Sequence, residues 1–595
     1  MLMRYLGSLR ASITAILVLI SQIAHAQILL SASQLNEIAY SDQWLALLHL
    51  DNGQPIITDP KFLLSIDDFS PKNELLKTLE LFSTQQSSHD NDQCRFVARA
   101  EYLQEGLNIA LGFDDTKCID YIEFRSRAPA DKVSLIYASE NLTQPSSMLG
   151  HSMLAISGKN YEGDWVDHAI SFFTDLDTIN IGSILWDTLY VGKPAHFVIE
   201  PLNKSLNYYS RNEQRNIWQY NLDLTDYKKN LLHKHLWELR NLNIDYLFHT
   251  HNCATFSFDI VSVAKPELMS ARQRWVTPID IVKAASELNM IDTVQVYPSN
   301  KWKVRMLNDF IEKDKIAMVE DFFTGKESFD FNDPLSVEMI RAISQYQLDT
   351  GKISNRQWLD IHDKWQAVGG QNYSLEINDY KSPLNTPDDS AYYIELTGQN
   401  MLFGWLPASH ALEDDNRQYF GETELKLSEL VLQADIENKE ASLYKWIVYS
   451  AKSLTPRDRF TGGVSGSFSF GFDQFWHDAK DKELAAFISG SLGVTKKVTK
   501  DIGVFSLANI GQVGNSEKSY AYIAPEIGAY IYEIFDMKTI VSIKKEFRAN
   551  LEVVDHLKLK QSLYLNSSAF IANLGLERKG SSDNLELSFQ YKVYF

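Results

Sequence analysis

The chain has 595 residues, of which 45% are apolar and 23% charged, so it is long enough to bury several hydrophobic cores and to fold as more than one domain. This composition excludes a disordered or fibrous protein. The 57 basic and 77 acidic residues give a net charge of −20, and no lysine- and arginine-rich run is present, which argues against a nucleic-acid partner.

The first 26 residues have the pattern of an export signal peptide. Arg4 and Arg10 precede the apolar run 13–20, and the small residues Ala24 and Ala26 stand where a signal peptidase acts, so cleavage is expected after Ala26. The alternative is an uncleaved membrane anchor. No later stretch approaches twenty apolar residues, so any further membrane contact has to use a barrel or a surface helix.

Residues 27–130 are predicted to form a helical N-terminal region, because Ser70 and Pro71 are typical of a helix start and a helical apolar spacing follows them. Cys94 and Cys118 lie close in sequence, and in an exported chain we expect them to form a disulfide worth roughly 3 kcal/mol. Cys253 is then left outside the pair. It is either buried and inert or chemically used.

The pattern changes in residues 131–275, where short β-prone segments predict a small sheet with strands at 133–137, 152–156 and 165–173. A helix is predicted from 213 to 240, with Ile217, Leu231, Leu232, Leu236 and Leu239 on its apolar face. A second helical region is predicted for 276–380, and the polar, proline-containing stretch 381–390 is interpreted as a linker.

Residues 388–595 alternate apolar and polar side chains in successive short segments. Segments of this kind can be drawn at 391–398, 421–433, 443–450, 464–472, 484–494, 502–510, 519–531, 538–547, 557–565, 569–577 and 585–595. In an exported chain this pattern predicts an antiparallel outer-membrane β-barrel, and the terminal Phe595 is typical of such barrels. The alternative is a soluble β-sandwich, or a β-domain packed on the helical part.

Two segments carry residues suited to chemistry. The first, 141–151, contains Ser147 and delivers Gly150 and His151 onto a predicted strand, where the glycine permits close backbone approach. In the second, Asn252 can cap a helix whose first turn holds Cys253. Backbone N–H groups at a helix N-terminus favour a thiolate and can hold a developing oxyanion.

Three interpretations compete for these residues. Cys253 is a nucleophile with His151 as its general base, or a zinc ion is bound by some of the histidines and the cysteine, or the histidines are ordinary surface and helix residues. The zinc alternative lacks a recognised ligand spacing. It would draw on His233, His235, His249, His251 and Cys253. For His233 and His235, which fall in a predicted amphipathic helix, the ordinary interpretation is favoured.

The segment from Pro145 to His151, the later Trp237-Glu238-Leu239 and the segment from Tyr246 to Cys253 resemble the motifs of the Lnb-type periplasmic domain. This family includes the lipoprotein N-acyltransferase of some Gram-positive bacteria. The resemblance covers about 90–275, including Cys94 and Cys118. A helical N-terminal part, this domain and a C-terminal β-region together resemble Gram-negative members of the family.

The resemblance implies an α+β fold with a permuted papain-like thiol-enzyme domain at 131–275. In that fold Cys253 is the nucleophile and His151 the general base. The third, orienting residue is His168, with Asp167 and Ser171 as the other polar choices on its strand, and the sequence departs from the family's frequent asparagine near Ser171. Oxyanion or motif support falls to Asn252, Ser147, Gly150 and Tyr246.

The expected function is a cysteine-dependent acyltransferase or acyl hydrolase that acts on lipid or lipoprotein substrates at the periplasmic face of the outer membrane. No cofactor and no metal are expected. Two alternatives stay open. One is a thiol peptidase or amidase that acts on peptidoglycan, and the other is a non-enzymatic outer-membrane barrel with a periplasmic adaptor domain.

Overall fold

A computed structural model describes residues 30–51, 53–83, 92–140, 149–174, 191–247, 251–273, 275–324, 333–366, 380–398, 400–435, 440–476, 482–580 and 582–595. The predicted export signal lies outside them. The chain divides into two compact units: the first comprises 1–134, 154–201 and 222–272, and the second 135–153, 202–221 and 273–595. Within the described ranges, no helix has both the length and the apolar character needed to cross a bilayer.

The elements that precede residue 390 alternate between short helices and strands. The helices are α1 (Ala32–Ala39), α2 (Asp42–Leu47), α3 (Pro71–Ser83), α4 (Val97–Glu101), α5 (Ile119–Arg127), α6 (Leu202–Asn207), α7 (Asp226–Glu238), α8 (Cys253–Ser262), α9 (Leu268–Ala271), α10 (Asp280–Glu287), α11 (Asn300–Phe310), α12 (Lys313–Phe323), α13 (Pro334–Asp349) and α14 (Asn355–Gln366). The strands are β1 (Leu50–Asp51), β2 (Gln54–Pro55), β3 (Lys132–Ala138), β4 (His151–Lys159), β5 (Trp165–Thr174), β6 (Lys193–Pro201), β7 (Ile217–Leu222), β8 (Ile244–Tyr246) and β9 (Ile291–Tyr297).

In the first unit, antiparallel strands pair in the order β8-β6-β5-β4. Helix α8 packs on β5, since the ring centroids of Phe256 and Phe172 are 4.4 Å apart. The N-terminal helices pack around Trp44, and the same core includes Leu231 of α7 and Val263, which follows α8. Helices α7 and α8 therefore share one hydrophobic core with the N-terminal region.

The predicted disulfide between Cys94 and Cys118 is confirmed. It joins the turn before α4 to the start of α5, within the first unit. By closing a loop in the unfolded chain, it restricts the region that packs against α7.

In the second unit, helices α11 and α13 build a core around Trp302, Leu307 and Ile340. Phe420 and Phe460, which belong to loops of the C-terminal barrel, pack against this core. The helices that precede the barrel are thus fastened to it by apolar contact.

Two of the predicted helical stretches are interrupted by strands. Residues 217–222, predicted to begin a long helix, form β7, and the helix starts only at Asp226, after the side chain of Thr225 caps it. Residues 291–297, predicted within a helical region, form β9. The reason in both places is a run of β-branched and aromatic residues, which lose side-chain freedom in a helix and pack well in a sheet.

The C-terminal strands close into an antiparallel barrel, which confirms the predicted architecture. They are β10 (Ala391–Thr397), β11 (Asn400–Leu406), β12 (Glu422–Asp435), β13 (Glu440–Leu454), β14 (Ser465–Trp476), β15 (Lys482–Lys497), β16 (Ile502–Gly514), β17 (Ser519–Glu533), β18 (Met537–Arg548), β19 (Val554–Leu565), β20 (Ser568–Lys579) and β21 (Ser582–Tyr594). Strand β10 pairs with β21, with Ala391 opposite Tyr594, and so no strand edge is left open.

Strand β11 is missing from the sequence prediction. Its segment from Met401 to Leu406 is almost continuously apolar and therefore shows no alternation. Gly404 stands where the ring of Tyr393 crosses the strand, and a Cβ there would lie 2.1 Å from that ring. The close approach explains a glycine inside this strand.

The exterior of the barrel is apolar and its interior polar. In β21 the predicted lipid-facing side chains are exposed, from 38 to 68%, whereas Ser588, Gln590 and Lys592 between them are buried. The exposed set is Leu585, Leu587, Phe589, Tyr591 and Val593. The terminal Phe595 stacks on Tyr392 with ring centroids 4.6 Å apart. This pattern is the one that a bilayer requires of a spanning barrel.

The loop 407–421, between β11 and β12, folds into the barrel lumen. The Asp414 carboxylate accepts hydrogen bonds from Lys592 Nζ at 2.6 and 2.8 Å and from the Tyr594 hydroxyl at 2.8 Å. Ser562 Oγ and the Tyr564 hydroxyl both donate to the backbone oxygen of Glu413 at 2.9 Å. The loop that follows β11 is thereby bound to β19 and β21 across the lumen.

We expect Phe589→Arg to block barrel assembly, because a charged side chain near the bilayer midplane on the lipid face costs about 2–4 kcal/mol. Heat-modifiable migration and recovery in the outer-membrane fraction measure assembly.

Two variants serve as controls for this prediction. Phe589→Leu keeps the position apolar, and Gly575→Arg places the same charge in the lumen, where a Cβ would meet no atom within 4 Å. Both should assemble. Equal assembly of Phe589→Arg and Gly575→Arg would contradict the assignment of the two faces.

Candidate functional site

Cys253 is the first residue of α8 and is buried. The side-chain oxygen of Asn252 accepts hydrogen bonds from the backbone N–H groups of Ala254 at 2.8 Å and Thr255 at 3.0 Å. Thr255 Oγ1 in turn accepts from the Asn252 N–H at 2.7 Å, which completes a capping box. The predicted cap is therefore formed, and it fixes the position of the Cys253 thiol at the positive end of the helix.

Tyr246 stands beside Cys253. The backbone N–H of Cys253 donates a hydrogen bond to the Tyr246 hydroxyl, and burial together with the nearby thiol raises the pKa of that hydroxyl well above its usual range. Between the two residues the backbone groups of Leu247 and His251 exchange hydrogen bonds of 3.0 and 2.8 Å. This pairing brings the end of β8 close to the start of α8.

Asp259 of α8 forms buried polar contacts that hold this helix in place. Its carboxylate accepts a hydrogen bond from Arg272 at 2.9 Å and lies 3.8 Å from His49 Nδ1. Each of these side chains is almost fully buried. The helix that presents Cys253 is thus held by buried polar contacts as well as by the packing of Phe256.

His151, the predicted general base, belongs to the second unit, whereas Cys253 belongs to the first. The His151 ring lies 5.6 Å from that of Tyr209. Burial, with the Arg215 guanidinium nearby, lowers the pKa of His151 to about 3. The imidazole is therefore neutral at physiological pH.

Gly150 gives His151 its place on β4. Its φ of +93° is unfavourable for other residues, and a Cβ would lie 2.8 Å from a ring carbon of Tyr137 and 3.0 Å from the Ala138 oxygen. The prediction that this glycine permits a close backbone approach is confirmed. Arg215 and Tyr209 were not predicted, since they lie about sixty residues from His151 and no motif marks them.

The next predicted site residues are those of β5. His168 lies on β5 in the first unit, and its Nδ1 is buried with no hydrogen-bond partner among the described residues. Burial lowers the pKa of His168 despite the nearby Asp167. Asp167 accepts a hydrogen bond from Trp165 at 3.2 Å, and Ser171 is buried. Ser147 and His249 lie outside the described residues.

The histidines of α7 are not surface residues, contrary to the sequence interpretation. His233 is buried, with Nε2 2.9 Å from the Ala128 oxygen. His235 is fully buried, with Nε2 2.6 Å from His49 Nε2. No group of three potential metal ligands occurs in the part of the chain that the structure describes.

We expect Gly150→Ala to lower the melting temperature more than Gly163→Ala. Both glycines have a positive φ, so both variants carry a strain of about 1–2 kcal/mol. Only at Gly150 does the new Cβ meet neighbouring atoms, which adds about 1–3 kcal/mol. Thermal unfolding of the full-length variants checks this difference, and equal losses would contradict the close approach at Gly150.

His151 should react with diethyl pyrocarbonate at nearly the same rate at pH 7 and pH 5, because its pKa of about 3 keeps the imidazole neutral. In the denatured chain, where the pKa is about 6.5, the rate for the same peptide should fall about 25-fold between pH 7 and pH 5. The folded protein binds fewer protons at this residue in that range, so its stability falls as the pH drops below 6.5. Mass-spectrometric mapping measures the rates, and parallel decline in both samples would refute the prediction.

Three family models match the chain. Residues 120–287 match the Lnb N-terminal periplasmic domain, residues 36–106 a domain of unknown function (DUF7843), and residues 394–594 another domain of unknown function (DUF7840). No curated protein matches.

Among solved structures, the chain is similar to three outer-membrane proteins at a low level. An anion-selective porin from Comamonas acidovorans is 8% identical, with 35% of this chain and 97% of that chain covered, at a TM-score of 0.18. A bacterial polysaccharide outer membrane secretin is 12% identical, with 35% and 98% covered, at 0.21. LpxR from Salmonella typhimurium is 7% identical, with 36% and 91% covered, at 0.20. At these scores the likenesses carry no information on what this chain binds.

The family match and the closed barrel with its apolar exterior agree with each other on location. A periplasmic domain precedes a barrel suited to the bilayer, which places the chain at the outer membrane with that domain in the periplasm. Residues 120–287 of this outer-membrane protein match the Lnb N-terminal periplasmic domain.

Proposed function

We propose that this periplasmic domain catalyses cysteine-dependent acyl transfer, or acyl hydrolysis, on a lipid or lipoprotein. The observation that carries the proposal is the placement of Cys253 as the buried first residue of the Asn252-capped α8. The dipole of a helix favours a thiolate at its first residue and so lowers the pKa of a thiol there. The candidate nucleophile thus stands where the helix favours its reactive form.

In the proposed reaction, the Cys253 sulfur attacks the carbonyl carbon of an ester and forms a thioester as the alkoxide leaves. His151 takes the thiol proton and gives it to the leaving alkoxide. An amine or water then attacks the thioester, which releases the acyl group and restores the thiol. The neutral form of His151 is the one that a general base needs. Its low pKa makes the imidazole a weak base for the first step, and the protonated form a strong acid for the second.

Two further residues are proposed to support this chemistry. Tyr246, whose hydroxyl accepts from the Cys253 N–H, holds the start of α8 in register with β8. His168 is proposed as the orienting residue, because its buried Nδ1 has no hydrogen-bond partner among the described residues and can serve a bound or neighbouring group. The barrel keeps the domain beside the membrane, where lipid and lipoprotein esters are found.

The test is detection of an acyl adduct on Cys253. Full-length protein incubated with phospholipid vesicles or a purified lipoprotein should gain the mass of one acyl chain, and hydroxylamine should remove it. Cys253→Ala should abolish the adduct, and His151→Gln should slow its formation by about 10²–10⁴-fold. Ser262→Ala is the matched control, since it removes a buried polar atom from the same helix and should react normally.

Two outcomes would contradict this function. The first is an adduct that survives in Cys253→Ala at the wild-type rate. The second is release of peptides from peptidoglycan by the wild type with no acyl adduct on any lipid or lipoprotein, which would assign the same cysteine to peptidase chemistry.

A further inference from the structure

A second site is present at the rim of the barrel, in the unit that contains His151 but apart from it. The first strand of the barrel begins and the last strand ends at one rim, because Ala391 pairs with Tyr594. The chain that precedes the barrel enters at this rim. Since that chain carries the periplasmic domain, the rim faces the periplasm.

At this rim, helices α11 and α12 and the loops 455–464 and 498–501 enclose a cavity of about 670 Å³, here called the rim cavity. Six basic and three acidic side chains line it among the described residues. The three acids are already engaged: Glu320 pairs with Arg459, Asp309 with Lys497 at 3.3 Å, and Asp458 with Arg305 at 3.7 Å. The cavity therefore has a surplus of positive charge.

The surplus cations are Lys313, Arg457 and Lys496, which have no carboxylate partner within the described ranges. Arg305 adds a further donor. Its side chain is only 11% exposed, and its Nη2 is buried with no hydrogen-bond partner among the described residues. Buried guanidinium nitrogens are normally paired, so an orphan in a basic cavity indicates an anionic ligand.

The surroundings of the cavity indicate which kind of anion. Val498 lines it and is 53% exposed, and Phe310, next to the lining residue Asp309, is 61% exposed. Val498 directly follows the end of β15, and Phe310 is the last residue of α11. A soluble phosphate gains no binding energy from an apolar surface, whereas the acyl chains of a lipid are stabilised by contact with one.

We propose that the rim cavity binds the phosphodiester headgroup of an anionic membrane lipid from the periplasmic leaflet. Arg305 and Arg457 donate to the phosphate oxygens, since a guanidinium matches phosphate geometry with two parallel N–H groups. Lys313 and Lys496 neutralise the charge, and the acyl chains lie along the barrel exterior past Val498. This site does not depend on the proposed chemistry of Cys253.

The experiment measures lipid binding to full-length protein in detergent by native mass spectrometry, with phosphatidylglycerol, phosphatidylcholine of the same acyl chains, and inorganic phosphate as probes. Wild type should bind phosphatidylglycerol about tenfold more tightly than phosphatidylcholine. Lys496→Gln and Arg457→Gln should each weaken phosphatidylglycerol binding about fivefold or more. Lys496→Arg should retain it.

Lys500→Gln is the matched control, because Lys500 is an exposed lysine four residues from Lys496 and does not line the cavity. It should bind within about twofold of wild type, since it contacts no ligand phosphate. Heat-modifiable migration verifies that each variant is assembled.

Three results would overturn the proposal. Equal losses in Lys496→Gln and Lys500→Gln would show a general charge effect. Equal binding of the two lipids would show that the headgroup is not recognised. Inorganic phosphate bound as tightly as phosphatidylglycerol would make the ligand a soluble anion.

Discussion

The first unit depends on one buried cation, Arg99 of α4, which has no exposed surface. Its Nη1 donates to Glu74 of α3 at 2.5 Å, its Nη2 donates to the Phe62 oxygen at 2.6 Å, and its Nε lies 3.9 Å from Glu238 of α7. The other oxygen of Glu238 accepts the Ala98 and Arg99 N–H groups. Because a buried charge that loses its partner costs several kcal/mol, these three helices can pack only in the arrangement that pairs all three charges.

From Arg99 a line of buried polar groups continues to the helix that bears Cys253. Glu238 lies 3.6 Å from His235, His235 contacts His49 at 2.6 Å, and His49 lies 3.8 Å from Asp259 of α8. Burial raises the pKa of Glu238 to about 7 and lowers that of His235 far below its usual range. Arg99 lies in the family match at 36–106 and Glu238 in the match at 120–287. Because these two residues are in contact, the gap between the two matches is not a boundary in the fold.

Features that depend on residues close together in the sequence could be predicted from it. The Asn252 cap, the alternation of the closing strand and the Cys94–Cys118 pair each depend on short-range preferences, and each is present. Contacts between residues distant in sequence were missed. Arg99 and Glu238 are 139 residues apart, and no local pattern near either residue indicates their pairing. Strand β11 was missed because its nearly continuous apolar residues show no alternation with polar ones. Arg215 was missed because its position near His151 depends on the tertiary placement of β7, the strand that follows it. Cys253 and His151 could be selected as candidates because a capping residue, Asn252, precedes one and a turn glycine, Gly150, precedes the other.

The loop 407–421 is held inside the barrel by contacts with several strands. Asp414 and Glu413 bind strands β19 and β21, and Lys538 of β18 donates to the backbone oxygens of Leu412 and Asp414 at 2.7 and 2.9 Å. A loop held by several buried contacts at once cannot swing aside without exposing unpaired charges. The loop therefore restricts the open cross-section of the lumen at the rim where β10 begins and β21 ends.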